Sequence, residues 1–233
     1  MDERARGTLE PAQAETRLLI LCVGAVVAAA VLTWSGSDAY RFVLGEANPV
    51  AATLVISILG LLALRVLMRS GWFEVGGGTG EGYRFAAVTG VALTIPVIVL
   101  DGLGGFPIDL NVSWPTSLLF YPAIALVAEF VFHAGPLALA ALASDRVSMR
   151  GDDGRRLGLF VALTIEPAIQ VWWGVTHSPT WVNAYVGLHL LAFNAIGLHL
   201  FRRYGFMTMY LYRVAYYAIW HVAWGHVRLG MLF

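Results

Sequence analysis

The run TSLLFYPAIALVAEFVFHAGPLALAALA, from Thr116 to Ala143, decides the fold class of this chain. It is longer than the roughly 20 apolar residues that a helix needs to cross a bilayer core of about 30 Å. Near its middle it contains Glu129 and His133. Apolar residues surround this carboxyl on both sides in the sequence. We therefore expect a membrane helix that turns Glu129 towards protein or water and away from lipid.

The composition of the whole chain agrees with a membrane location. Of its 233 residues, 58% are hydrophobic and 13% are charged, whereas soluble domains average about 45–50% apolar and about 25% charged residues. This composition argues against a cytosolic enzyme, a nucleic-acid-binding protein or a disordered linker. The formal net charge of zero favours neither an acidic nor a basic partner.

Six further apolar runs predict additional membrane spans. They are Leu18 to Trp34, Pro49 to Met68, Phe85 to Leu100, Leu157 to Val175, Trp181 to Phe201 and Phe206 to Val227. Pro122 and Pro136 would kink the run Thr116 to Ala143 or break it into two. The sequence thus predicts an all-α polytopic transmembrane helix bundle of seven to eight spans with a buried polar cavity.

The arginines predict the orientation of these spans. All 15 basic residues are arginine, and they concentrate in the N-terminal segment and in the second, fourth and sixth loops. Because short cytoplasmic loops hold the excess of positive charge, the N-terminus is predicted to be cytoplasmic and the C-terminus external. We expect a cytoplasmic segment at residues 1–17 and a single transmembrane domain at 18–233.

Three charged residues lie well inside predicted spans: Glu129, Glu166 and Arg213. A charge at the bilayer centre costs about 2.5–3.5 kcal/mol on insertion scales, so we expect these groups to meet inside the bundle. One guanidinium cannot neutralise two carboxylates. Two interpretations follow: a structural ion pair, above all between Glu166 and Arg213, or a carboxylate that serves as a general base.

Helical spacing predicts which residues share a face, because residues four apart lie one above the other. On this basis Glu129 stacks with His133, and a second face contains Glu166, Gln170, Trp173 and His177. The last helix has a stripe about 80° wide that should face protein; it consists of Tyr210, Arg213, Tyr217, His221 and Trp224. His189 and Asn194 are predicted to form hydrogen bonds between helices.

These residues resemble motifs of the CAAX protease and bacteriocin-processing family of intramembrane endopeptidases, over Thr116 to Gly225. The first family motif is E-E-x-x-x-R. The matching frame here is AEFVFH, in which Glu129 keeps the second glutamate, Ala128 replaces the first and His133 replaces the arginine. Residues 116–225 would then be the protease-like core of the domain.

The second and third motifs also have counterparts. F-x-x-x-H is similar to Trp173 through His177, although Tyr185 to His189 fits the same spacing. H-x-x-x-N/D is similar to His221 through Gly225, with glycine as the last residue. A rival register counts from the turn at 203–205 and puts Arg213 at the histidine position.

The resemblance implies roles for these side chains in peptide hydrolysis. Glu129 would activate water, His177 would assist it, and His221 would stabilise the oxyanion. His133 would stand in for the arginine, and Arg213 would pair with a carboxylate. The implied substrate is a hydrophobic or lipidated peptide in contact with membrane lipid, in a prokaryotic cell membrane, with no cofactor and no nucleic acid; the oligomeric state is left open.

Other interpretations remain at the level of sequence. Ala128 and Gly225 lack the functional side chains of the motifs, which favours a non-catalytic relative that binds peptides or partner helices, as in bacteriocin immunity or membrane-protein assembly. A metal site of Glu129, His177 and His221 would be unspecific, and none is predicted. A proton-linked transporter would use Glu129 and Glu166 as a relay, but no repeat of broken helices supports it.

Overall fold

The computed structural model describes residues 11–73, 78–104, 106–147, 151–175 and 179–233. Every regular element within these ranges is helical, which confirms the all-α prediction. The α-helices are α1 (Pro11–Trp34), α2 (Arg41–Leu44), α3 (Pro49–Arg69), α4 (Gly80–Ala92), α5 (Thr94–Gly102), α6 (Ser117–Ala128), α7 (Gly135–Val147), α8 (Gly151–Gly174), α9 (Thr180–Tyr204), α10 (Phe206–Tyr217) and α11 (Gly225–Met231). Two π-helical segments, π1 (Glu129–Ala134) and π2 (Ala218–Trp224), join α6 to α7 and α10 to α11.

Six helical stretches in the described ranges are long and apolar enough to cross a membrane. They are Gln13–Trp34, Pro49–Arg69, Gly80–Gly102, Ser117–Arg146, Asp152–Gly174 and Thr180–Tyr204. These helices indicate an integral membrane protein. The seventh predicted run, Phe206 to Val227, forms α10, π2 and the start of α11; it contains Arg213 and His221 and is not among the six.

The structure does not support the predicted count of eight spans. The stretch Ser117–Arg146 is one continuous helical stretch despite Pro122 and Pro136. Within π1 the backbone hydrogen bonds reach back five residues instead of four. The N–H of Gly135, for example, donates to the carbonyl oxygen of Phe130. Pro136, which has no N–H to donate, follows directly, so the helix passes it with a π-bulge and without a break.

Helix α10 packs against α4, α6 and α9, and α8 packs against α7 and α9. Helix α3 packs against α1, α7 and π1. Two close approaches depend on glycine: a side chain at Gly60 would overlap the ring of Phe130, and one at Gly90 would lie 2.6 Å from the carbonyl oxygen of Tyr212. The bundle therefore presses π1 and α10 tightly against their neighbours.

The connection between α9 and α10 is a single residue, Gly205, with φ of 87°. This left-handed conformation is accessible to glycine at little cost. The tight turn sets α10 beside α9. Tyr212 of α10 stacks on Phe193 of α9 with ring centroids 4.6 Å apart, and Tyr216 meets the same ring in a T-shaped contact at 4.8 Å. Arg213 is thereby directed into the centre of the bundle.

Candidate functional site

A buried ion cluster joins three helices at the centre of the bundle. Arg213 donates from Nε to Oε1 of Glu129 at 2.6 Å. It also donates from its two terminal nitrogens to the two carboxylate oxygens of Glu166, at 2.8 and 2.9 Å. Arg213 and Glu129 are each only 1% exposed. The predicted convergence of the three charged residues is confirmed.

His133 completes the cluster on the far side of Glu129. Its Nδ1 lies 2.7 Å from Oε2 of Glu129, one helical turn away. Neither atom has the alignment of a hydrogen bond there, and Nε2 has no partner among the described residues. The cluster therefore consists of two carboxylates, one guanidinium and one imidazole.

The two π-segments contain the residues that the first and third motifs single out. Glu129 and His133 lie in π1, and His221 lies in π2. A π-turn inserts one extra residue into the helical repeat and so changes the direction of the side chains that follow. Short π-bulges are frequent at functional sites, and both segments line the interior of this bundle.

His221 lies apart from Glu129 and has a different partner. Its Nδ1 is 2.6 Å from Oδ1 of Asn111, and its ring stacks on Tyr121 with centroids 4.6 Å apart. The hydroxyl of Tyr121 accepts a hydrogen bond from the backbone N–H of Val112 at 2.9 Å, which holds the Asn111 connection in place. A methyl group added at Gly225 would lie 2.9–3.1 Å from the side chain of Asn111. Asn111 thus lies beside His221 where the third motif would supply an amide from position 225.

A cavity of about 640 Å³ opens into the bundle beside His221. The residues with polar side chains in its wall are Asp38, Asn111, Tyr121, Glu166, Gln170, Tyr217 and His221, and most of the remaining wall is apolar. Ala128 lines this cavity, whereas Glu129 does not. Val131 and Trp173 also line it, and each is 42% exposed at the surface of a membrane-spanning stretch. The cavity is therefore bordered by surface that would contact acyl chains.

A second cavity of about 200 Å³ lies against the first. Six residues line both: Leu110, Glu166, Gln170, Trp173, Tyr217 and His221. Arg213 lines only the smaller one, together with His189. Arg213 is also stacked over Phe193, with its guanidinium carbon 4.9 Å from the ring centroid.

The structure brings part of the predicted site together and separates the rest. Glu129, His133 and Arg213 are in contact, while His221 lines the cavities with Glu166. The predicted face of Glu166, Gln170 and Trp173 is confirmed, since all three line both cavities. His177, the remaining predicted residue, lies outside the described residues. Among those described, no group of three or more histidine, cysteine or acidic side chains is placed to hold a metal ion.

The stripe predicted on the last helix does face protein. Tyr210 donates to the carbonyl oxygen of Pro122 at 3.2 Å, and the indole of Trp224 donates to Asp101 at 2.7 Å. The prediction of interhelical hydrogen bonds is also confirmed. His189 lies 3.0 Å from the hydroxyl of Tyr216, and Asn194 donates to the carbonyl oxygen of Leu163 at 3.5 Å.

Sequence reasoning missed a second buried ion pair. It placed Asp101 in a loop and Arg228 in the tail, but both are fully buried, and Arg228 donates twice to the Asp101 carboxylate at 2.7 Å. Arg228 also donates to the carbonyl oxygens of Phe106 and Pro107. Asp101 is one residue beyond the predicted end of its span, which was the signal available in the sequence.

Asn111 was missed as well, because no local pattern distinguishes it. It lies in the connection between α5 and α6 and reaches His221 only in the folded bundle.

These features define a class: an integral membrane helix bundle with a central ion cluster and a two-part internal cavity. No protein-family model matches the chain, and comparisons with curated proteins and with solved structures gave no match.

Proposed function

We propose that this protein is a non-catalytic membrane protein that binds the apolar chain of a hydrophobic or lipidated peptide in its larger cavity. The volume of about 640 Å³ falls within the range of about 300–1,000 Å³ that is usual for ligand sites. Mostly apolar walls with a few polar groups are typical of such sites. The exposed side chains of Val131 and Trp173 at its border suit a ligand that arrives from the membrane.

The position of Glu129 is the observation that carries this proposal. The wall of the cavity at this point is the methyl group of Ala128. Glu129 lines neither cavity and is bound by Arg213 at 2.6 Å. A general base must come within hydrogen-bond reach of the water that it deprotonates, directly or through one water. A carboxylate held behind the wall by a permanent cation is poorly suited to that task.

A direct test measures binding and cleavage of one ligand. The protein is purified in maltoside micelles and titrated by calorimetry with a farnesylated tetrapeptide, and the same mixture is followed by mass spectrometry for cleavage. Wild type is expected to bind the peptide without cutting it. Val131→Trp, which places a bulky ring at the cavity border, should weaken binding by about 10-fold, a cost of about 1.4 kcal/mol.

Leu139→Trp is the matched control, because Leu139 is 68% exposed on α7 and does not line either cavity. It should bind as wild type does. If Val131→Trp and Leu139→Trp weakened binding of the peptide equally, the result would contradict binding in this cavity. If wild type cleaves the peptide and Glu129→Gln does not, the binding proposal is wrong and the protein is a hydrolase that uses Glu129.

An intramembrane endopeptidase is the second candidate, and the pair His221 and Asn111 favours it. The resemblance calls for an amide near the motif histidine, and Asn111 supplies one from another part of the chain. Glu166 lines the same cavity and is the carboxylate that could meet water there. Its bidentate pairing with Arg213 leaves lone pairs on both oxygens, so it could still accept a proton.

This candidate makes a different prediction about the two glutamates. Glu166→Gln and His221→Gln should each abolish cleavage of the peptide, whereas binding of the farnesylated chain should persist. If Glu129→Gln abolishes cleavage instead, Glu129 acts as the base that the motif implies. Absence of cleavage in wild type across a library of hydrophobic peptides would remove the candidate.

We also propose that the protein is a member of the CAAX protease family and that it crosses the membrane seven times. The run from α10 through α11 would be the seventh span, with the N-terminus cytoplasmic in a prokaryotic cell membrane. Cys22 is the single cysteine, so a Cys22→Ala background allows one reporter cysteine at a time. A reporter at Ser37 should react with an impermeant maleimide in intact cells, and one at Arg203 only after lysis; the opposite pattern would reverse the orientation.

A further inference from the structure

Seven aromatic side chains line the smaller cavity. They are Phe106, Trp173, Tyr185, Phe193, Tyr216, Tyr217 and Trp220. The ring faces of Phe193 and Tyr217 already carry the guanidinium of Arg213, at 4.9 and 5.9 Å from their centroids. No cation of the described residues lies over the rings of Phe106, Tyr185, Tyr216 and Trp220, which pack against one another or against His189. Aromatic enclosures of this kind recognise quaternary ammonium groups.

The charge of the adjoining ion cluster also favours a cation. Glu166 lines the smaller cavity, and Arg213 shares its single charge between Glu166 and Glu129. Glu166 therefore shares the charge of its guanidinium partner with a second carboxylate and keeps part of its own negative charge uncompensated. Because this charge lies in a low-dielectric interior, a cation placed beside Glu166 is stabilised more than it would be in water.

Several polar groups around the smaller cavity are already paired. Both ring nitrogens of His189 lie near tyrosine hydroxyls, at 3.3 Å from Tyr185 and 3.0 Å from Tyr216. The hydroxyl of Tyr217 accepts a hydrogen bond from Arg213, and Asn183 donates to the carbonyl oxygen of Val171. A primary ammonium would need three new acceptors. A quaternary ammonium needs none, so it fits the remaining aromatic walls better.

We infer that the smaller cavity holds a quaternary ammonium group whose attached alkyl chain extends into the larger cavity. The inference rests on the proposed binding of an apolar chain in the larger cavity and goes beyond it, because it adds a second ligand class: a single-chain cationic amphiphile. The two cavities share the walls formed by Glu166, Trp173 and His221, so one molecule can occupy both. A volume of about 200 Å³ is below the usual range for a whole ligand and suits a head group.

The test compares two amphiphiles that differ in net charge. Protein in maltoside micelles is titrated by calorimetry with octyltrimethylammonium and with octyldimethylamine N-oxide, which has the same chain and no net charge. The cation is expected to bind about 10-fold more tightly. Trp173→Leu should reduce this ratio to near one. Trp172→Leu is the matched control, because Trp172 is 75% exposed and lines neither cavity, and it should leave the ratio unchanged.

The outcomes separate this inference from the binding proposal. Equal affinity for the two amphiphiles in wild type would overturn the ammonium site while the apolar cavity stands. Failure of both amphiphiles to bind a folded protein that binds the farnesylated tetrapeptide would overturn the ammonium site alone, and failure of all three ligands to bind would overturn both proposals. Tighter binding of octylammonium than of octyltrimethylammonium would overturn the quaternary class. Tetramethylammonium binding as tightly as the octyl compound would overturn the role of the chain.

Discussion

Arg213 holds Glu166 in a bidentate ion pair, with its two terminal nitrogens 2.8 and 2.9 Å from the two carboxylate oxygens. The third donor of the same guanidinium reaches Glu129. Parallel N–H to oxygen bonds of this type combine charge with a fixed geometry that lysine cannot reproduce. The central cluster therefore locks α8, α10 and π1 to one another.

Removing the guanidinium should destabilise the bundle strongly. Arg213→Gln leaves two carboxylates in the interior without their cation, and we expect the free energy of unfolding to fall by about 3–5 kcal/mol. Thermal unfolding of the protein in detergent, followed by size-exclusion chromatography, measures the change. The triple variant Glu129→Gln, Glu166→Gln and Arg213→Gln should regain most of the loss, and a triple variant as unstable as the single one would contradict this explanation. Arg41→Gln breaks an exposed ion pair with Glu46 and should cost less than about 1 kcal/mol.

The second ion pair should stabilise the connection after α5. Asp101→Asn leaves the buried charge of Arg228 without its anion, and we expect a loss of about 3–5 kcal/mol. Because Arg228 also binds the carbonyl oxygens of Phe106 and Pro107, backbone amides at residues 108–112 should exchange hydrogen faster in this variant. Arg203→Gln, near the C-terminal end of α9, serves as the control. Unchanged exchange in Asp101→Asn would show that the carboxylate does not hold the connection.

Gly90 should tolerate no side chain. Gly90→Ala would place a methyl group 2.6 Å from the carbonyl oxygen of Tyr212, which forces α4 and α10 apart at a cost of about 1–3 kcal/mol. Gly24→Ala is the matched control, since nothing lies within 4 Å of a side chain there. That change should be neutral or stabilise by up to about 1 kcal/mol through helix propensity. Comparable melting temperatures for the two variants would argue against close packing of α4 on α10.

A side chain at position 225 should disturb His221 through Asn111. Gly225→Asn introduces the residue that the third family motif has at its last position, but the new side chain meets that of Asn111. We expect the Asn111 to His221 hydrogen bond to break and stability to fall by about 1–3 kcal/mol. The double variant Gly225→Asn with Asn111→Ala should recover much of this loss, because it moves the amide from one element to the other. A single variant as stable as wild type would show that Asn111 does not occupy this place.

The predicted residues of π1 and π2 show how much of the site the sequence could predict. The i,i+4 spacing of Glu129 and His133 predicted their contact, because both lie on one helix and the helical repeat fixes their separation. The partner of His221 could not be predicted in this way. Asn111 is separated from it by 110 residues, and its approach depends on how the α5–α6 connection crosses the end of the bundle.

The same distinction applies to the whole molecule. The sequence by itself determined the membrane class, the apolar helices and the inward face of the last helix, since hydropathy and helical periodicity are local properties of the chain. The tertiary structure alone decided that Glu129 lies behind the cavity wall while Glu166 borders it, and that Asp101 and Arg228 meet in the interior. Those outcomes depend on how helices distant in sequence are rotated relative to one another. The π-turns and the glycine contacts adjust this rotation, and no local sequence pattern encodes it.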